Sequence, residues 1–350
     1  MNLWFLLLPG AALVCYVLCW LLIGFSGRME ALTPRNYSSY IRWEHQQKPL
    51  VGGMALFITW LVGCTLLLQA IPGLRLWPWI GAAALGFCVG LADDAWSLRP
   101  HHKLIAQSVG AIWLILTGHS IHLTEIPWAD ALITYFWVVG LMNSLNMLDN
   151  MDGIVALVGA SIATVVIAGM WGTGQMVLPM GLLLAGALLG FYGLNRRPSQ
   201  LYMGDSGSQF LGVLIALWGI DYVWNVPDSG GWQTGLRVAL VFIVPLTDTT
   251  LVTFGRLSRG QSPAVGGRDH LTHHLHYLGI PVAWVGPFLA GITLLMGVLA
   301  WGLFPAREAF WAVPTHWVAV SALLVYIPLN LFFYRKGGQN AKRQALQAAA

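Results

Sequence analysis

Charge is what this chain has least of. Asp, Glu, Lys and Arg make up 9% of its 350 residues, where soluble domains carry about 25%. Length alone would suggest two or three soluble domains, but apolar runs fill the chain and leave no room for one. Cysteine is also scarce. Cys15, Cys19, Cys64 and Cys88 all lie inside apolar runs, with no Cys-x-x-Cys or Cys/His spacing. That excludes a zinc ribbon and a disulfide framework and leaves small buried side chains. There is no internal repeat, no low-complexity segment and no basic run suited to nucleic acid. Residues 3–25 lack a basic segment before them, are too long for a signal-peptide core and are followed by no clean cleavage site. They are read as a retained first span.

What fills the chain instead is hydrophobic: 57% of residues. A span needs about 20 apolar residues. Eleven stretches qualify or nearly do: 3–25, 51–71, 77–92, 104–118, 130–147, 153–171, 176–194, 209–224, 236–255, 280–304 and 314–334. The expected fold is all-α, a polytopic integral membrane protein of eleven transmembrane helices. It forms a single membrane domain over 1–350, with 335–350 a basic, flexible tail. Lys and Arg fix the orientation. Fifteen of them fall in connections on one side, and only Arg75, Arg237 and Arg307 on the other. This places the N-terminus outside and the C-terminus in the cytoplasm.

The polar residues that do occur are clustered. Glu44–Lys48, Asp93–Lys103, Asn143–Asp152, Asn195–Ser208 and Arg256–His276 all fall in connections of the cytoplasmic set. A charged side chain within a membrane helix costs roughly 3 kcal/mol by insertion scales and is usually functional. In Asn143-Ser-Leu-Asn-Met-Leu-Asp-Asn-Met-Asp-Gly153, the residues Asn143, Asn146, Asp149 and Asp152 recur every third position, along one slowly rotating helix face. This reads as part of a site for a metal ion and a nucleotide; the plain reading is a polar helix end. Adjacent Asp93 and Asp94 repel unless a cation or proton relieves them, and oxygen ligands of this kind suit Mg²⁺. Lys103 is placed to meet a phosphate; the plain reading is a solvated helix end balanced by Lys103 and Arg99. In Gly204-Asp-Ser-Gly-Ser208, Asp205 supplies a further oxygen, and the helix that follows offers N–H groups to an anion. An ordinary N-cap is the competing reading. Arg268, His270, His273 and His274 form a dense donor set suited to phosphate, against a basic loop without function. Asp248 is a lone acid inside the ninth stretch. It stands behind the site or pairs with an arginine such as Arg256.

Taken together these clusters resemble the polyprenyl-phosphate N-acetylhexosamine-1-phosphate transferase family of glycosyltransferases. His45-Gln-Gln-Lys-Pro-Leu-Val-Gly-Gly53 is similar to the family's entry to its second span. Asp93-Asp94 with Leu98, Pro100, Lys103 and Gln107 is similar to its double-aspartate motif. Asn143, Asn146, Asp149, Asp152 and Gly153 match its Asn/Asp motif, and Gly204–Ser208 the next one. Pro245-Leu-Thr-Asp248, Arg256, Gly260, Ser262-Pro263 and the histidine loop resemble the GlcNAc-1-phosphate branch. Two departures stand out. Asn150 replaces the more usual Gly, and His-Leu-Thr-His-His is one residue longer than His-x-His-His.

The resemblance implies transfer of HexNAc-1-phosphate, GlcNAc-1-phosphate first among them, from a UDP-sugar to undecaprenyl phosphate in a bacterial inner membrane. UMP leaves, and a lipid-linked envelope glycan such as lipopolysaccharide O-antigen is begun at a cytoplasm-facing site. Implied partners are UDP-N-acetylhexosamine, the polyprenyl phosphate, membrane lipid and a second copy of the chain as homodimer. Mg²⁺ is the implied cofactor, with Mn²⁺ as substitute. Asp93, Asp94 and Asp205 are the implied catalytic residues, with Asp205, Asp94 and Asp152 on the metal. Lys103, Asn143, Asn146, Asp149, Asp152, Arg268, His270, His273 and His274 would bind substrate. The alternatives are a phospho-N-acetylmuramoyl-pentapeptide transferase and, from another class, an ion-coupled transporter.

Overall fold

The computed structural model describes residues 3–30, 48–124, 126–171, 176–226, 231–263, 266–302 and 315–349. Among these there are helices and connecting turns but no strand. Glu44 and His45 of the first polar cluster lie outside the described residues.

Helices occupy each predicted stretch. After a short 3-10 turn at Leu3–Leu6 come α1 (Leu7–Glu30), α2 (Gly52–Ala70), α3 (Trp77–Trp96), α4 (Pro100–Leu116), α5 (Pro127–Leu148), α6 (Ile154–Gly169) and α7 (Val177–Asn195). Then follow α8 (Gly204–Gly219), extended by a π-helical turn at Ile220–Trp224, α9 (Gly231–Val241), α10 (Ile243–Leu257), α11 (Leu271–Tyr277), α12 (Val282–Gly302) and α13 (Thr315–Ala349). Among the described residues, five helices are long and apolar enough by themselves to cross a membrane. α4 and α6, at 17 and 16 residues, rise only about 26 and 24 Å at 1.5 Å per residue, short of a hydrocarbon core of ~30 Å. The protein is thus an all-α membrane protein whose shorter helices are packed among longer ones.

One predicted span is different from its sequence reading. Residues 236–255 form no single helix: α9 and α10 meet at a bend of 83°. Pro245 explains the break. It sits in the first turn of α10, has no N–H to donate to the carbonyl four residues back, and its ring would crowd that carbonyl if α9 ran on. The end of the chain also differs in kind from its neighbours, since α13 continues as helix from the last apolar stretch through 349.

α8 is the centre of the bundle. Every one of its residues is buried except Asp205, and it packs against α2, α3 and α5. Such close approach requires small residues, because lipid-embedded helices gain most from van der Waals contact. A Cβ at Gly90 would collide with the backbone carbonyl of Asp205, and one at Gly86 would sit 2.7 Å from Val213 Cγ1. Gly53 of α2 stands directly against Gly207. The same small-xxx-small spacing recurs in α7, where Gly186 and Gly190 meet the carbonyls of Leu8 and Ala12 on α1.

The Gly90 contact gives a test. Gly90→Ala overpacks α3 against α8, at a cost of about 1–3 kcal/mol, and displaces Asp205. Thermal unfolding in detergent should show a lowered melting temperature, with turnover falling further than the stability loss accounts for.

Candidate active site

Four helices contribute to one polar network. α3 ends in Asp93 and Asp94, and its last turn is closed by Ser97 in the left-handed region at φ 49°. Leu98 N–H donates to Asp93 Oδ1 at 2.8 Å. The Asp94 carboxylate reaches across to α8 and accepts from the backbone N–H of Asp205 and of Ser206, each at 2.9 Å. Asp94 is therefore the N-cap of α8 supplied by another helix, taking two donors that no turn of α8 can satisfy. Gly204, at φ 76°, lets the chain enter α8 here, and a Cβ on it would sit 2.8 Å from Asp94 Oδ2. The expected open anion site at this helix start is thus corrected at those two N–H groups, which a carboxylate already fills.

Lys103, in the first turn of α4, places its Nζ 2.6 Å from Asp93 Oδ2, 3.3 Å from Asp205 Oδ2 and 3.1 Å from Asn146 Oδ1. From α5, Asn146 Nδ2 donates to Asp205 Oδ1 at 2.5 Å and to Ser208 Oγ at 2.9 Å. One turn deeper, Gln107 and Asn143 exchange two hydrogen bonds, and Gln107 also donates to Gln209 Oε1 at 3.0 Å. Gln209 was missed from sequence, although a glutamine in the second turn of a buried apolar helix is a signal of its own.

The electrostatics follow from this packing. Burial, then the neighbouring Asp205, pushes Asp93 up to about 6 against the pull of Lys103. Burial and Asp205 also raise Asp94, opposed by the N–H groups it accepts from. Burial alone would raise Asp205, but Lys103 and the hydrogen bonds from Asp93 and Asn146 hold it below the usual carboxylate range. Lys103 in turn stays above its ordinary value: burial lowers it, and Asp205 and Asp93 more than compensate.

The remaining sequence-predicted residues lie around this core. Asp149 ends α5, its N–H donating to Leu145 O at 3.1 Å. Asp152 is not drawn onto Asp205. Its Oδ2 lies 3.8 Å from Lys48 Nζ, which donates to Ser199 Oγ at 2.8 Å, so it ties the segment before α2 to the loop before α8. Asn195 completes that tie by accepting from Gly153 N–H at 2.9 Å. His270, His273 and His274 are buried, and Arg268 is exposed. The histidine helix α11 is joined to the Asn143–Gly153 stretch because Thr272 Oγ1 donates to Asn150 Oδ1 at 2.6 Å. The two departures from the family's pattern therefore meet: Asn150 accepts from the threonine inside the lengthened histidine run. Lys48 from the first polar cluster and the described residues of the other four are in this way linked at one end of the bundle. Asp248 does not pair with Arg256, which is held by Asp269 at 2.7 Å.

A divalent metal can be tested against these donors. Mg²⁺ takes one or two carboxylates together with phosphate oxygens and water. Asp93 and Asp205, with Asn146, present oxygens that already converge on one cation, Lys103 Nζ. That donor set fits. The expected trio of Asp205, Asp94 and Asp152 does not converge: Asp94 is spent on α8 and Asp152 faces Lys48. Among the described residues no three acidic, histidine or cysteine side chains stand in ligand geometry.

Two outcomes follow. Lys103→Met leaves Asp93 and Asp205 without their cation; turnover should fall by roughly 10²–10³, the usual cost of removing one electrostatic stabiliser, with the protein still folded in detergent. Burial above all holds His273 at about 3 and His274 at about 4, against an ordinary 6.5. Groups kept neutral in the fold contribute stability that is complete above pH 6.5 and is lost as pH falls from there toward 4. Melting temperature should therefore drop between pH 7 and 4.5, and by less in His274→Gln.

Comparison with known proteins agrees with the geometry. Residues 76–223, from α3 through the π turn after α8, match the model of glycosyl transferase family 4. A Bacillus subtilis protein named "Probable undecaprenyl-phosphate N-acetylglucosaminyl 1-phosphate transferase" is 26% identical over 71% of this chain and 73% of its own length. The Mycobacterium tuberculosis decaprenyl-phosphate N-acetylglucosaminephosphotransferase is 27% identical over 80% and 78%. The phospho-N-acetylmuramoyl-pentapeptide-transferase of Limosilactobacillus fermentum is 30% identical over 63% of this chain and 70% of its own. With the acid–lysine network lying inside the matched segment, the chain belongs to glycosyl transferase family 4, the polyprenyl-phosphate N-acetylhexosamine-1-phosphate transferases.

Proposed function

We propose that this protein transfers HexNAc-1-phosphate, with GlcNAc-1-phosphate as the preferred group, from a UDP-sugar to undecaprenyl phosphate, releasing UMP. The observation that carries the reading is the meeting of Asp93, Lys103, Asn146 and Asp205 from four helices at the polar end of an apolar bundle. One substrate is a lipid and the other a water-soluble nucleotide, and a polar mouth walled by apolar helices serves both. The 15-to-3 partition of Lys and Arg supports an eleven-span topology with this mouth facing the cytoplasm of a bacterial inner membrane.

Phosphoryl transfer asks the protein for alignment and charge neutralisation more than for covalent chemistry. Asp205 and Asp93 are the residues that would hold Mg²⁺, whose part is to neutralise the diphosphate oxygens. Lys103 is positioned to take a phosphate oxygen once substrate competes with Asp93. Asn146 and Asn143, braced by Gln107, hold the α5 face in register, and Asp149 and Asp152 shape the nucleotide side. Arg268, exposed at the rim, and the histidine helix meet the diphosphate and sugar. The attacking lipid phosphate is largely ionised at neutral pH (second pKa ~6), so direct attack needs no strong base and no covalent aspartyl intermediate.

Names of two relatives favour GlcNAc as the sugar, and that of the third favours N-acetylmuramoyl-pentapeptide. Membranes holding the protein, incubated with Mg²⁺, undecaprenyl phosphate and a panel of UDP-sugars, should release UMP with UDP-GlcNAc. Release only with the UDP-muramoyl-pentapeptide would move the assignment to that donor. Substrate flux into liposomes without UMP would replace the enzyme by a transporter. Asp205→Asn and Asp93→Asn should each nearly abolish UMP release; normal turnover in either removes that residue from the machinery.

A further inference from the structure

Asp248 lies outside the matched family segment, has no assigned role, and is completely buried. A buried carboxylate is costly unless a charge or several donors compensate it. The cation nearest in sequence, Arg256, is taken: its Nε and Nη2 donate to Asp269 at 3.1 and 2.7 Å, and its Nη1 to Pro263 O at 2.8 Å. Asp248 instead spends both oxygens on one turn of chain twenty-odd residues on. Oδ2 lies 2.9 Å from His270 Nδ1, and Oδ1 accepts from Leu271 N–H at 2.7 Å.

Resting on the proposed function, we infer that Asp248 is a positioning residue for His270: it fixes the imidazole's tautomer and aim, so that Nε2 is delivered to the substrate diphosphate or sugar. The carboxylate accepts from Nδ1–H, which leaves the ring's other nitrogen for a ligand. The Leu271 bond holds the start of α11 against α10 in the same grip. Thr272, two residues after His270, bonds to Asn150 and ties this turn to the Asn143–Gly153 stretch. Ser144 donates to Pro245 O at 2.7 Å and Thr249 donates to Ser144 Oγ at 2.8 Å, so the base of α10 is joined to α5 as well. The His270 ring is thereby referenced to the same helix that carries Asn143 and Asn146. It does not depend on the exposed loop before it. An orienting carboxylate of this kind typically changes activity by 10- to 100-fold when removed.

The experiment is a double-mutant cycle on the full-length protein in detergent, with UMP release from UDP-GlcNAc and undecaprenyl phosphate as readout. Asp248→Asn keeps the shape and removes the acceptor charge. Its kcat should fall roughly 10- to 100-fold, with KM for the UDP-sugar little changed. His270→Gln should fall at least as far, and adding Asp248→Asn to it should cost nothing more. Wild-type turnover in Asp248→Asn overturns the inference, and so do two losses that multiply. A second readout needs no turnover. In ¹⁵N-histidine NMR spectra His270 should give an Nδ1-protonated imidazole beside those of His119 and His276, whose Nδ1 atoms face Asp221 Oδ1 and Ile280 O; its signal should be lost in His270→Gln and altered in Asp248→Asn. A wild-type spectrum with no such ring beyond those two overturns the inference even if the variant fails to fold. Absence of UMP release from every donor in the wild type would defeat the proposed function while leaving the spectrum to decide the dyad.

Discussion

Three carboxylates are gathered at one end of an apolar bundle, and the structure there depends on a single ammonium among them. Lys103 Nζ contacts Asp93, Asp205 and Asn146 within 3.3 Å. Without it, Asp93 and Asp205 would repel across a buried contact, and each would resist ionisation. With it, the two acids part: Asp205 stays ionised and Asp93 rises to about 6. A pair of acids pushed apart around one buried cation is the arrangement on which the proposed phosphoryl chemistry rests.

The helix packing exists to allow that contact. Asp94 can cap α8 only because Gly90 brings α3 onto the Asp205 backbone, and α8 can be entered there only because Gly204 adopts a left-handed conformation. Gly53 lets α2 approach from another side. Small residues thus serve two ends. They give close van der Waals contact where the hydrophobic effect gives none between helices, and they set three polar chain segments at hydrogen-bonding distance. The histidine helix is joined to this core by directional bonds instead, Thr272 to Asn150 and Asp248 to His270. That difference explains how a seven-residue helix can carry donors with fixed aim.

Much of this was legible in the sequence. The shortage of charge and the length of the apolar runs gave an all-α membrane protein, and the third-residue spacing from Asn143 to Asp152 gave a polar face near a helix end. Asp93, Lys103, Asn146 and Asp205 stood out because a polar residue at a bilayer boundary is costly. The break at Phe242 was less legible, since hydropathy averages over the direction of the chain; Pro245 was visible, but whether a proline kinks or ends a helix depends on what packs beside it. Gln209 was hidden because a single amide in an apolar stretch carries no periodicity, and Asn195 was visible only as the start of a polar cluster, not as the acceptor of Gly153 N–H.

The sequence by itself determined the class of the protein, the positions of most of its helices and the inventory of acids, amides, lysine and histidines in its polar clusters. These follow from local composition, which the bilayer reads one segment at a time. Only the tertiary structure decided who pairs with whom. Asp94 caps α8, Asp152 faces Lys48, and Asp248 holds His270 in place of Arg256. Pairing of this kind rests on distances between residues far apart in the chain, which depend on how closely the glycine-lined helices approach.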